Sequence, residues 1–144
     1  MSLSHFSMKP AHLMPSFLVV DSSILIFFDR KGKLEAFLRQ KKKENYKVII
    51  PKAIAQEVVD EPKEFAEKIR GTAPESASKI LDSVGRISTA IEQGLMQVET
   101  VNYRKYSKVI DNVRKHLSKL DTKPEYAVKK GDPELIALVI QLYD

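Results

Sequence analysis

The stretch Phe17-Leu18-Val19-Val20-Asp21-Ser22-Ser23-Ile24-Leu25-Ile26-Phe27-Phe28 decides the fold. Four apolar residues run into an aspartate, two serines follow, and a second apolar run begins. So short an apolar run, with β-branched residues in it, fits a strand buried on both faces, as in parallel sheets. A buried strand gains nothing from ending in a carboxylate unless that group reaches water, a partner or a metal. In open parallel sheets the carboxyl ends of the strands form the crevice where ligands bind. Asp21 is therefore expected at the lip of such a crevice, with Ser22 or Ser23 capping a helix that starts just after it.

Downstream, Asp29-Arg30-Lys31-Gly32-Lys33 reads as a break in the second apolar run. Leu34, Phe37 and Leu38 then recur at helical spacing, and residues 39–44 form a basic end that suits a helix C-terminus. Lys47-Val48-Ile49-Ile50-Pro51 reads as a second short buried strand stopped by proline. Ile54, Val58 and Val59 follow at helical spacing, with Glu57 near their apolar stripe and Asp60-Glu61-Pro62 closing the helix. Residues 64–70 add another turn or two, and Gly71-Thr72-Ala73-Pro74 reads as a loop. A helix over residues 76–93 carries Ile80, Leu81, Val84, Ile87 and Ile91, with Gly94 as its cap. Leu95-Met96-Gln97-Val98-Glu99-Thr100-Val101 looks like a third strand. Residues 103–120 form an amphipathic helix, residues 121–131 are polar and irregular, and Asp132-Pro133-Glu134 opens a last apolar helix over residues 135–142. Strands alternating with helices predict an α/β fold with a parallel sheet flanked by helices.

The chain has 144 residues, so one domain is the natural size class. We read residues 1–16 as a flexible leader and residues 17–144 as the domain. The leader lacks a basic start followed by an apolar core, so it is not a signal peptide. No apolar run approaches the ~18–20 residues of a membrane span, and no membrane partner is expected. There is no cysteine, which excludes disulfides and thiolate metal sites and fits the reducing cytoplasm, the expected location. The net charge is +5, a modest excess that favours a polyanionic partner such as RNA. No phosphate-cradling glycine loop is present. His5, His12 and His116 are scattered and form no triad.

Three acidic positions sit beside apolar sequence at element boundaries: Asp21, Glu57, and Asp132 with Glu134 close behind. Carboxylates gathered at one point repel and are costly to desolvate. A hard divalent cation, Mg²⁺ or Mn²⁺, is the usual compensation, and such a site can activate water against a phosphodiester. Each acid also has a plainer reading. Asp132 before Pro133 suits a helix cap, and Glu57 suits a surface glutamate on its helix. A phosphoaspartyl chemistry at Asp21 would need a second aspartate two residues on, where Ser23 stands.

The three motifs resemble those of PIN domains. Val19-Val20-Asp21-Ser22-Ser23-Ile24-Leu25-Ile26 looks like their opening motif, Ile50-Pro51-Lys52-Ala53-Ile54-Ala55-Gln56-Glu57-Val58 like the second, and Gly131-Asp132-Pro133-Glu134-Leu135-Ile136-Ala137-Leu138 like the third. The resemblance covers residues 17–144. It implies a three-layer α/β/α sandwich with a central parallel sheet and a Mg²⁺- or Mn²⁺-dependent endoribonuclease. Asp21, Glu57 and Asp132 would be the catalytic metal ligands, Glu134 an alternative third acid, and Ser23 a support by hydrogen bonding. It further implies RNA as substrate, a homodimer, and for toxin-type members an antitoxin protein as partner. Family members usually continue into another strand whose end often carries a fourth acid. This sequence stops at Tyr143-Asp144, which implies a sheet one strand short or a sequence clipped at that end. A non-catalytic RNA-binding or assembly module on the same fold is the competing expectation.

Overall fold

The computed structural model describes residues 15–121 and 131–143. Its centre is β2 (Tyr46–Pro51), whose Val48, Ile49 and Ile50 are all buried. β1 (Ser16–Val19) pairs with one edge of β2 and β3 (Gln97–Glu99) with the other, both parallel. The registers run from Ser16 opposite Tyr46 to Val19 opposite Ile49, and from Ile49 opposite Gln97 to Pro51 opposite Glu99. Among the described residues β1 has a strand on one side only.

Alternation along β2 divides the core. Val48 and Ile50 enter one apolar cluster, and Ile49 enters another. Side chains on a strand point to opposite faces in turn, so both faces of the sheet are covered and the architecture has three layers. The larger cluster is built by α1 (Ser22–Arg30), α2 (Leu34–Lys43), α3 (Lys52–Ala55) and α5 (Pro74–Glu92), through Leu25, Leu38, Ile54 and Ile87. The smaller joins α6 (Tyr103–Asp121) and α7 (Gly131–Tyr143) to the sheet, through Tyr106, Ile110, Ala137 and Leu138. Each fully buried aliphatic side chain contributes about 1.5–3 kcal/mol. The expected α/β/α sandwich with a parallel sheet is therefore the fold observed.

Several elements differ from their sequence reading. Ser16, assigned to the leader, already belongs to β1, and the rest of the expected leader lies outside the described residues apart from Pro15. The helix after β2 does not close at Asp60-Glu61-Pro62. It runs on through a π-turn (Gln56–Asp60) into α4 (Glu61–Ile69). Pro62 has no N–H and in an α-turn its ring would meet the Val58 carbonyl. The wider turn, in which the Glu61 amide donates to the Gln56 carbonyl, admits the proline without ending the helix. α1 likewise continues through Asp29 and Arg30, which the sequence reading took as a break.

The third strand shortens to three residues because α5 ends in a tight reversal. Gly94 takes φ +74°, its amide donates to the Ile91 carbonyl, and the Leu95 amide donates to the Ala90 carbonyl. This is the six-to-one and five-to-two pairing of a Schellman cap, and a positive φ favours glycine there. Leu95 and Met96 are spent in turning back into the core. α7 starts at Gly131, so Asp132 lies within the first turn instead of capping it. Most of the expected irregular segment 121–131 lies outside the described residues.

Candidate active site at the carboxyl end of the sheet

Asp21 lies two residues beyond the end of β1 and is itself the N-cap of α1, a role expected of Ser22 or Ser23. Its extended backbone (φ −93°, ψ 174°) turns the carboxylate onto the helix start. Oδ1 accepts from the Ile24 amide at 3.1 Å and from the Ser23 hydroxyl at 2.8 Å. Among the described residues both bonds fall on Oδ1. Capping satisfies one orphan amide of the first turn, and the helix dipole favours the negative charge. Asp21 is half-buried and lines an open apolar cavity of about 480 Å³ with Val20, Ile24, Phe28 and Leu135.

Glu57 stands on the π-turn that follows the carboxyl end of β2 and is also half-buried. π-turns recur at functional sites, because the extra residue re-aims a side chain that an α-turn would hold elsewhere. Glu57 Oε1 accepts from the Gly131 amide at 3.2 Å, which brings the carboxylate to the positive end of α7. A Cβ at residue 131 would lie 2.5 Å from that oxygen and 3.1 Å from Glu57 Cδ, so only glycine admits the approach. Asp132, the next residue, is exposed in the first turn of the same helix.

Glu134 behaves differently. It is 3% exposed, accepts from the Ala53 amide at 2.9 Å, and takes a short hydrogen bond from the Tyr103 hydroxyl. Burial, then the bond to Glu134 and its negative charge, push the Tyr103 hydroxyl up to about 12. Glu134 thus ties the first turn of α7 to the start of α3 on one side and to the start of α6 on the other. The neighbouring Gln141 extends this tie, accepting from the Asn102 amide at 2.8 Å and donating to the Thr100 carbonyl at 3.0 Å.

The structure therefore brings Glu57 and the Asp132 turn together, while Asp21 lines a different cavity from Glu57. Among the described residues no three His, Cys, Asp or Glu side chains are close enough to hold one metal ion. The chemistry of the donor set suits a hard divalent cation, with carboxylate oxygens at the carboxyl end of a parallel sheet.

Sequence reading missed a second buried acid. Asp29 is 5% exposed and accepts from Ser83 Oγ at 2.6 Å, Arg86 Nε at 2.7 Å and Arg86 Nη2 at 3.1 Å. Burial alone would push its carboxyl up. The Arg86 and Ser83 hydrogen bonds and the Arg86 charge outweigh that and hold it below the usual carboxylate value. The signal was present: Asp29 lies four residues after Leu25, on the same buried face of α1. Tyr103 had no such signal.

No curated protein and no solved structure matches this chain. No helix among the described residues is long and apolar enough to cross a membrane. The family model described as the Halobacterial PIN domain matches residues 14–144, nearly the whole sequence, and its span carries all three acidic motifs and every strand of the sheet. The chain belongs to the PIN domain family.

Proposed function

We propose that the protein is a divalent-metal-dependent endoribonuclease, with Asp21, Glu57 and Asp132 as the carboxylates that would hold Mg²⁺ or Mn²⁺, directly or through bound water. PIN domains are generally nucleases and typically use divalent metals, which supports the class of reaction. The observation that carries the reading is the Glu57–Gly131 contact. It makes an acid of the second motif share one backbone amide with the turn that bears the acid of the third. A bound cation would supply charge at a phosphate oxygen and a water of lowered pKa.

The chain's own residues do the rest. Ser23 orients Asp21 by bonding one of its oxygens, as outer partners of ligating carboxylates commonly do. Glu134 is better suited to positioning than to ligation, because both of its oxygens already accept hydrogen bonds from Ala53 and Tyr103. That choice leaves Asp132, exposed and one residue from the Glu57 contact, as the third acid.

The test is Mn²⁺-stimulated cleavage of single-stranded RNA by the wild type and by Asp21→Asn. Asparagine caps helices as well as aspartate, so the fold is kept while the charge is removed. Cleavage in the wild type and its loss in the variant are expected; equal cleavage by both would end the assignment. One observation favours a second reading, a non-catalytic RNA-binding module: no three acids gather among the described residues. Salt-dependent RNA binding with no cleavage in either Mg²⁺ or Mn²⁺ would select it.

A further inference from the structure

The sheet has two outer strands, β1 and β3, each with a neighbour on one side only among the described residues. Their open edges differ. β3 carries Glu99, whose carboxylate accepts from the exposed Gln97 side chain at 2.6 Å. A charge on an outer strand discourages pairing with a further strand. β1, Ser16-Phe17-Leu18-Val19, has no charge. The Ser16 amide donates to the Asn45 carbonyl at 3.1 Å and the Val20 amide to the Ile49 carbonyl at 3.3 Å, so these residues turn their backbone toward β2. Backbone groups alternate in direction along a strand, and Phe17 and Val19 therefore turn theirs outward. The side chains beside this edge are apolar. Leu18 packs on the larger cluster and Val19 on the smaller, yet both line the open cavity of about 480 Å³, together with Phe28, Phe37 and Leu135. A cavity that meets both faces of a sheet lies at its edge. The charged groups that also line it, Asp21 and Lys41, have opposite signs. From Leu135 the apolar surface continues along α7 through Val139 to Tyr143 in steps of four residues, with Ile136 and Ile140 beside them, all four exposed.

We propose that a second copy of this chain covers this edge, β1 pairing antiparallel with its counterpart about a two-fold axis at Leu18. A strand pairs with its own copy only where its outward groups come back into register after the rotation. About Leu18, Phe17 stands opposite the partner's Val19, and Val19 opposite the partner's Phe17. All of these point their backbone outward, so each facing pair exchanges N–H···O=C bonds, and Leu18 meets the partner's Leu18 at the close, non-hydrogen-bonded position. An aromatic residue facing a β-branched one is a favoured cross-strand pair. An axis perpendicular to the sheet keeps like faces together, so the exposed stripes of the two α7 helices come to the same side of the joined sheet. Neither the strand nor the stripe bears a charge, so two molecules of net charge +5 meet there without like charges in contact. This match is a property of the chain's own sequence, which favours a second copy over a strand of foreign sequence. The surface is small, so the dimer is expected to be weak and to dissociate in the micromolar range. The proposal stands apart from the nuclease reading: in an antiparallel pair the carboxyl ends of the two sheets, with their acids, face opposite ways.

Sedimentation velocity of the full chain, from low to high micromolar concentration, reads the association, and amide hydrogen exchange followed by NMR reads the edge. A monomer–dimer equilibrium is expected, with the Phe17 and Val19 amides becoming protected only as the dimer forms. Phe17→Pro removes an outward amide that β2 does not use, and an outer strand tolerates proline there. It is expected to raise the dimer dissociation constant at least about tenfold. The double variant Val139→Lys/Tyr143→Lys leaves β1 untouched, sets like charges against each other across the axis and is expected to weaken the dimer as well. Should circular dichroism show Phe17→Pro unfolded, the lysine variant and the exchange data decide. A monomer at every concentration would overturn the proposal. So would a dimer that the variants leave unchanged, which puts the contact on another face. Unprotected Phe17 and Val19 amides in a dimer would mean that β1 does not pair, and protection of both in the monomer would mean that the chain's own residues cover the edge; either result also overturns it.

Discussion

At the seam between α1 and α5, Asp29 is buried and three hydrogen bonds saturate its carboxylate. At the carboxyl end of the sheet, Asp21 and Glu57 are only half-buried, and among the described residues each uses one oxygen. Both regions take acids out of water, at a cost that must be met locally. The seam meets it with a guanidinium and a hydroxyl, which leaves the acid nothing to offer a ligand. The sheet end meets it with helix N-termini, whose amides stabilise the charge and leave a second oxygen without a hydrogen bond among the described residues. Glu134 belongs with Asp29 by this measure, although it lies in the sequence beside Asp132. Saturation of the carboxylate, more than its burial, separates acids that hold the fold from acids that can do chemistry.

The comparison breaks first at Asp21. If the sheet-end acids are the reactive ones, Asp21→Asn should lower Mn²⁺-stimulated cleavage at least about a hundredfold, beyond the 10–100-fold that outer partners of a ligand typically cost. Its melting temperature should stay close to that of the wild type, since the cap survives. A large fall in stability with little change in cleavage would place Asp21 with Asp29 instead.

The seam makes the opposite prediction. Arg86→Ala leaves a buried carboxylate with Ser83 as its remaining partner and should cost about 3 kcal/mol in urea unfolding at neutral pH. Asp29 has a folded-state pKa below the unfolded value of 3.8, so the pair's stabilisation is complete above that value and is lost as pH falls through the lower one. The gap between wild type and variant should therefore narrow below about pH 4. A gap that stays constant down to strong acid would mean that the ion pair is not what holds the seam.

Tyr103 sharpens the assignment of Glu134. Tyr103→Phe removes one donor from a buried carboxylate and should cost about 1–2 kcal/mol, tempered by the half-exposed ring. The hydroxyl, raised to about 12, stabilises the fold fully below the ordinary tyrosine value near 10, and that contribution is lost as pH rises through about 12. In an ultraviolet titration the Tyr103 hydroxyl should ionise late, and its share of the late absorbance should vanish in the variant. Cleavage should fall by less than in Asp21→Asn. A loss as large would return Glu134 to the reacting set.

Much of the fold was legible because its signals are local. The strands signalled by the apolar runs at residues 17–20 and 48–50, the glycine cap at residue 94 and the apolar spacing of α5 each follow from neighbours in sequence, although the first run proves half-exposed and not buried on both faces. What escaped was non-local. Asp29 looked like punctuation because its partners, Ser83 and Arg86, stand more than fifty residues away. Pro62 looked like a stop because the π-turn that absorbs it leaves no compositional trace. The acids Asp21, Glu57 and Asp132 stood out as types at boundaries, but the difference between Asp132 and Glu134 depends on Ala53 and Tyr103, which no spacing rule connects to them.

The finest test falls on Gly131. An ordinary glycine early in a helix gains up to about 1 kcal/mol on replacement by alanine. Here the added Cβ would meet Glu57 Oε1 at 2.5 Å, so the carboxylate must swing away or α7 must retreat. The two effects oppose, and Gly131→Ala should change stability by less than about 0.5 kcal/mol. Cleavage should still fall, because the contact that brings Glu57 to the Asp132 turn is displaced. If both stability and cleavage rise, glycine is present for flexibility alone and Glu57 owes nothing to its approach to α7. If stability holds and cleavage drops, the geometry of a half-saturated acid has been separated from the energy of the fold that carries it.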